Sequence, residues 1–256
     1  MPPHQTPAPS PENPGSSRRS PGPLHENPPR ESRPAGGSGS LHESPPRRRP
    51  PGEGPGSPVR RPSRAELEAS TDRTIEDVLG PDLDVLFCGI NPGLYSAATG
   101  HHFARPGNRF WPALYRSGFT PRLLSPSEQD LLPSYGLGIT NVVQRPTAQA
   151  AELSAEEFRE GGKRLARLVA EVRPTVLAVA GVTAYRQAFG APKAAIGPQR
   201  SRIGGVAVWV LPNPSGLNAH WTLDGIAGEM RRIREFLLSG GPGPGDGPDA
   251  EPETLW

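Results

Sequence analysis

The chain predicts an α/β fold, a three-layer α/β/α sandwich with a mostly parallel central sheet. Three observations carry that expectation. Val85-Leu86-Phe87, Thr175 to Ala180 and Val206 to Leu211 are short, continuously apolar runs, the pattern of strands covered on both faces. Stretches of helical period alternate with them, as crossovers between parallel strands require. The first run opens directly into Cys88-Gly89-Ile90-Asn91-Pro92-Gly93, where the Gly/Pro pair forces an abrupt turn. That turn places an asparagine at the carboxyl end of a strand, where open α/β sheets bind their ligands.

Each element follows from local pattern. Ala65 to Leu79 reads as an opening helix and Asp84 to Gly89 as the first strand. Asn108 to Ser117 is expected to be helical, with Phe110, Trp111 and Leu114 spaced as core positions. Pro126 to Leu132 reads as a short helix and Leu137 to Val143 as a polar-ended strand. Ser154 opens a long helix, with Glu157 three residues on completing a capping box. Its buried stripe is Phe158, Leu165, Leu168, Val169 and Val172, and Pro174 stops it. The strand Thr175 to Ala180 follows and ends in Gly181. Val182 to Phe189 is helical, Val206 to Leu211 is the third apolar strand, and Leu223 to Leu238 closes the fold as a helix. In that helix Ile226, Met230, Ile233 and Leu237 recur at spacings of four, three and four.

Composition limits where this fold can lie. Of the 256 residues, 1–63 are dominated by Pro, Gly, Ser and Arg. Such a stretch lacks the apolar surface to offset its ordering entropy and is expected to be a disordered arm. Within it Leu24-His25-Glu26-Asn27-Pro28-Pro29-Arg30 recurs almost unchanged from Leu41 to Arg47, a low-complexity duplication. Residues 239–256 read as a disordered acidic Gly/Pro-rich tail. The remaining 64–238 are enough for one domain with a real core. The formal charge is only +2, but Arg18-Arg19, Arg47-Arg48-Arg49 and Arg60-Arg61 make the arm basic. A basic arm attracts phosphate, and a solubilising linker accounts for it equally well. The single cysteine, Cys88, excludes disulfides and multi-cysteine metal sites, and its apolar strand marks it as an inert core residue. No apolar run approaches a membrane span and no signal-peptide core is seen, so the expectation is a cytoplasmic protein, nucleoid-associated if bacterial.

Four loops carry the candidate chemistry. Asn91 is polar yet cannot serve as a base at neutral pH, so a reaction run from its turn relies on positioning and charge stabilisation. Gly100-His101-His102-Phe103-Ala104-Arg105-Pro106-Gly107-Asn108-Arg109-Phe110-Trp111 can offer an aromatic face to a planar ligand. The His pair has no carboxylate or cysteine at ligand spacing, so no metal is expected there. Thr140 to Thr147 ends a strand with hydrogen-bonding side chains, a pattern that a polar surface turn would also show. Pro212-Asn213-Pro214-Ser215-Gly216-Leu217-Asn218-Ala219-His220 is stiffened by two prolines and carries a leucine at an otherwise polar tip. An exposed apolar tip can wedge between stacked base pairs. A base inside a duplex must be extruded before chemistry can reach it, which calls for such a wedge, a receiving aromatic ring and amides to read the base edge.

Gly-Ile-Asn-Pro-Gly, then Gly-His-His-Phe with Asn-Arg-Phe-Trp, then Asn-Pro-Ser-Gly-Leu-Asn together resemble the mismatch-specific uracil/thymine DNA glycosylase family, within the uracil-DNA glycosylase superfamily. The resemblance runs from about Thr74 to Leu238. It implies hydrolysis of the N-glycosidic bond between a mispaired or damaged pyrimidine and its deoxyribose in double-stranded DNA with G:U or G:T mismatches, leaving an abasic site for base-excision repair. By matching, Asn91 would position the attacking water and the amide of Ile90 would contact the base. Phe103 would stack on it, and Ser96 and His102 would line its pocket. Ser215, Gly216, Leu217 and Asn218 would form the intercalating loop. Some relatives carry an arginine soon after the leucine; its DNA contact then falls to His220, to Trp221 or to neither. No cofactor is implied and a monomer is expected. No lysine sits in these loops to form a Schiff base with the sugar, so hydrolysis is expected to be monofunctional. A non-catalytic nucleic-acid-binding module of the same fold is the alternative. A nucleotide-binding α/β protein is disfavoured because neither a P-loop nor a Gly-x-Gly-x-x-Gly turn is present. Deamination is disfavoured because the Pro-Cys-x-x-Cys signature is missing.

Overall fold

A computed structural model describes residues 60–240. The expected arm up to residue 59 and the expected tail from 241 lie outside these residues. The elements, in order, are α1 (Arg64–Glu68), β1 (Val85–Gly89), α2 (Leu94–Thr99), α3 (Phe110–Arg116), β2 (Leu137–Asn141), α4 (Ala155–Val172), β3 (Val176–Ala180), α5 (Val182–Ala188), β4 (Gly197–Pro198), β5 (Ala207–Leu211) and α6 (Leu223–Leu238). Two 3₁₀ segments, Pro126–Tyr135 and Ala150–Glu152, precede β2 and α4.

The sheet runs β2-β1-β3-β5-β4, parallel except for β4 against β5. Alternation along the strands separates two cores. Val85, Phe87, Val176, Ala178, Trp209 and Leu211 face α3 and α6, where Phe110, Trp111, Leu114, Ile226, Met230 and Ile233 meet them. Leu86, Cys88, Leu177, Val179, Val208 and Val210 face α4 and α5, against Phe158, Leu165, Val169, Ala184, Tyr185 and Ala188. The expected three layers are therefore present. Phe110, Trp111 and Cys88 are core residues, as expected. Burial also raises the Cys88 thiol's pKa far above its ordinary value, which keeps the sulfur protonated and unreactive.

The helix termini follow their caps. Ser63 and Ser154 each accept the third-residue amide while Glu66 and Glu157 bond back, so both capping boxes close. The opening helix is much shorter than Ala65 to Leu79. After Glu68 the chain unwinds, and Val78 instead pairs antiparallel with Ile139, each donating its amide to the other's carbonyl at 2.8 and 2.9 Å. Strand β2 stops at Asn141, short of Val143, because the amides of Val142 and Val143 turn to the carbonyls of Gly89 and Ile90. Helix α2 and the two-residue β4 are additions, both too short to leave a periodic trace. Among the described residues no helix is long and apolar enough to cross a membrane.

Candidate active site

The strand order reverses direction at β1: the next strand, β2, lies on one side and β3 on the other. A crevice opens at such a switch point. Here it is a cleft of about 390 Å³, within the usual range for small-molecule sites, roughly 300–1,000 Å³. Its walls come from the carboxyl ends of all four parallel strands: Asn91 after β1, Asn141 at the end of β2, Ala180 at the end of β3 and Asn213 after β5. Among the described residues no carboxylate and no lysine lines it.

Asn91 is clamped. Its Nδ2 donates to the carbonyl of Arg145 at 2.9 Å and to Thr147 Oγ1 at 2.7 Å, so both amide hydrogens are used. Oδ1 has no partner among the described residues and remains as an acceptor. A side chain fixed in this way can accept a hydrogen bond from water and so orient its lone pair, but cannot deprotonate it. Thr147 is buried, and having accepted from Asn91 it keeps its own hydroxyl hydrogen.

Phe103 sits at a left-handed φ of 53°, which is rare for an aromatic residue. The loop holds it there by over-determination. Gln129 accepts the His102 amide at 2.8 Å and donates to the Gly100 carbonyl. Trp111 donates its indole N–H to the His102 carbonyl, and Ser96 Oγ accepts the Ala104 amide. One face of the Phe103 ring lies on Phe110, with centroids 4.1 Å apart and an interplanar angle of 17°. The residue lines the cleft and is half-buried.

His102 is buried and makes two side-chain bonds. Its Nε2 lies 3.0 Å from the Glu76 carbonyl and its Nδ1 3.4 Å from Asn141 Nδ2. A carbonyl can only accept, so Nε2 carries the hydrogen and Nδ1 accepts from the Asn141 amide. Burial holds the imidazole pKa below its ordinary value and outweighs the raising influence of the Glu76 carbonyl and Asp77. The neutral ring therefore fixes the Asn141 side chain with nitrogen toward His102 and oxygen toward Gly89. Gly89 must lack a side chain, since a Cβ there would overlap Asn141 Oδ1 and press on the Phe103 ring at 3.2 Å. Behind Asn141, Asp77 collects Thr140 Oγ1 at 2.7 Å, Gln144 Nε2 at 3.2 Å and the Arg164 guanidinium, which also donates to the Asn141 carbonyl.

The structure brings together Ile90, Asn91, Ser96, His102, Phe103, Ser215, Leu217 and Asn218, all of which line the cleft. Gly216 and His220 do not line it. Gly216 packs instead against the preceding loop, where a Cβ would stand 2.8 Å from the Gly107 carbonyl. Leu217 is 72% exposed at the tip. The Asn218 side chain braces its own loop, donating to the Asn213 carbonyl at 2.9 Å and accepting the His220 amide at 3.2 Å. Asn141 and Thr147 both fall in the stretch Thr140 to Thr147, whose hydrogen-bonding side chains point to no particular role by themselves. The missing signal was the register Gly89↔Asn141, which sets that loop beside the Asn91 turn. Among the described residues no cluster of His, Cys, Asp and Glu converges as a metal site.

A cleft lined by no carboxylate and no lysine, with a neutral histidine and the Arg105 cation, suits a reaction whose leaving group departs as an anion, aided by oriented hydrogen bonds. A model of the Uracil DNA glycosylase superfamily matches residues 76–236, and the chain belongs to that superfamily. Its class is therefore that of DNA glycosylases, hydrolases of N-glycosyl bonds that act on DNA. A solution NMR structure of a candidate uracil DNA glycosylase from Methanosarcina acetivorans is similar at 18% identity and a TM-score of 0.43. The match covers 63% of this chain and 98% of that one.

Proposed function

We propose that this chain is a monofunctional glycosylase of the mismatch-specific kind, which extrudes uracil or thymine paired with guanine from duplex DNA and removes it with water. The observation that carries the reading is the clamped Asn91, acceptor-only at Oδ1, in a cleft that also holds the Phe103 ring and the exposed Leu217.

In this reading Leu217 fills the gap left by the extruded nucleotide and the free face of Phe103 receives the base. Asn141 presents one acceptor and one remaining N–H to the base edge. With nitrogen pinned toward His102, that polarity matches the N3–H and O4 of uracil or thymine and opposes the reversed pattern of cytosine. As the C1′–N1 bond breaks, its electron pair leaves with the base and positive charge grows on the sugar, where the DNA phosphates counter it. Water held by Asn91 Oδ1 and the Thr147 hydroxyl bonds to C1′ and releases its proton to solvent. Such an enzyme is slow and favours bases that leave and unpair easily, and a mismatch with guanine lowers the cost of extrusion. The absence of lysine from the cleft lining, among the described residues, favours hydrolysis over a Schiff base on the sugar.

The test presents duplexes bearing G:U, G:T and A:U pairs, and a uracil-containing single strand, under single-turnover conditions, with abasic sites read as alkali-labile breaks. Release from G:U is expected to exceed release from A:U. Asn91→Ala should bind G:U duplex as the wild type does while base release falls on the order of 10²–10³-fold, the loss typical of one oriented polar group in a transition state. Wild-type protein that binds G:U duplex yet leaves it intact over long incubation is a binding module and no enzyme.

A further inference from the structure

Arg109 is used by none of the roles above, yet its backbone and its guanidinium both bond to the Leu217 loop. Its backbone amide donates to the Pro214 carbonyl at 2.9 Å, and its Nε reaches the same oxygen at 3.5 Å. Nη2 donates to the carbonyl of Ser215 and, at 2.8 Å, to that of Asn218, while Nη1 donates to the carbonyl of Trp221. One side chain thus joins the limb that enters the loop, Pro214 and Ser215, to the limb that leaves it, Asn218 and Trp221. The loop between them ends in Leu217, exposed and with no apolar cover to hold it upright.

We infer that Arg109 is the positioning residue of the wedge: its guanidinium fork locks the 214–221 loop in its inserting shape before DNA arrives. The physical need is entropic. A free loop of this length would have to be ordered during insertion, and that cost would fall on base extrusion. A planar fork with five N–H donors in fixed directions can satisfy four separated carbonyl contacts at once, whereas an ammonium cannot reproduce that geometry. Gly216 lies against the Gly107 carbonyl on the same side, so the loop is seated on the segment that carries Arg109. That segment continues into Phe110, on which Phe103 stacks. Arg109 is thus the clasp of the wedge and the covalent neighbour of Phe110, the ring on which the receiving Phe103 rests.

The inference rests on the wedge reading of Leu217, and its test separates the two. Arg109→Met and Arg109→Lys, each first shown to melt cooperatively, are compared with wild type and with Leu217→Ala. Single-turnover release is measured from A:U duplex, G:U duplex and single-stranded uracil, alongside hydrogen exchange of the amides of residues 215–220. Expected are release from the single strand within about 3-fold of wild type, a loss of at least about 10-fold on A:U duplex, a smaller loss on G:U, and faster exchange in the loop. Lysine should rescue little. Equal losses on all three substrates would overturn the assignment, because Arg109 would then serve the cleft or the fold at large. Unchanged duplex release, or unchanged loop exchange, would overturn it too. If the wild type releases no uracil, the glycosylase reading fails by itself, and loop exchange in the variants still decides whether Arg109 is the clasp.

Discussion

His102 shows how much one buried side chain can determine. Its pKa lies below the ordinary histidine value of 6.5 because burial disfavours the charged ring. The unfolded chain binds a proton near 6.5 that the folded chain refuses. Stability therefore falls as pH drops through 6.5 and goes on falling until the lower folded value is passed; above 6.5 the group contributes no slope. One such proton gives at most about 1.4 kcal/mol per pH unit. Urea midpoints should be lower at pH 5.5 than at 7.5, and His102→Gln should remove that part of the dependence even if it lowers stability throughout. A slope unchanged in the variant would place the titration elsewhere. Protonation would also force a donor onto the Asn141 amide, so base release should decline over the same acidic range. None of this could be read from the Gly-His-His-Phe motif. The sequence marks His102 as a pocket residue, but its tautomer depends on Glu76 and Asn141, each remote along the chain and set beside it by β2 and the bridge at Val78.

At the scale of elements, α4 carries a pair of glycines that helix propensity argues against. Alanine is favoured in a helix interior by about 1 kcal/mol over glycine. Packing decides otherwise, since a Cβ at Gly161 would overlap the carbonyl of Val142 and one at Gly162 the carbonyl of Ala188. Backbone atoms cannot rotate away, so Gly162→Ala is expected to lower stability by roughly 1–3 kcal/mol in denaturant titrations. A gain would show that the helix can shift outward. Gly161→Ala presses on the residue after Asn141 and should also slow base release, which the Gly162 variant should not. The same logic explains which elements were legible. Strands β1, β3 and β5 and helices α4 and α6 are long or apolar enough for composition and period to reveal them. The stretch from Ala69 to Leu79 is not helical because Val78 finds its hydrogen bonds on Ile139, a tertiary partner that local pattern cannot announce. The exposed tip was legible at Leu217, whose exposure follows from its Pro- and Asn-rich neighbours. Its support was not, because the carbonyls bound by the Arg109 side chain lie 105 to 112 residues away.

For the whole molecule, four parallel strands ending at one rim bring together residues more than 120 positions apart, from Asn91 to Leu217. The motifs at β1 and after β5 could be recognised singly. Their meeting in one cleft, and the role of the β2 loop between them, required the order β2-β1-β3-β5. The flanks of that sheet carry a separate consequence. On one side the short β4 ends in Pro198, whose nitrogen has no hydrogen to give, opposite Trp209. On the other, Val78 crosses the outer strand at Ile139. Neither border offers an incoming strand a long row of unsatisfied amides, so one copy has little to zip onto another. Sedimentation should find a single species at high protein concentration. Val78→Pro, which strips the amide from that crossing, should be the variant that begins to aggregate.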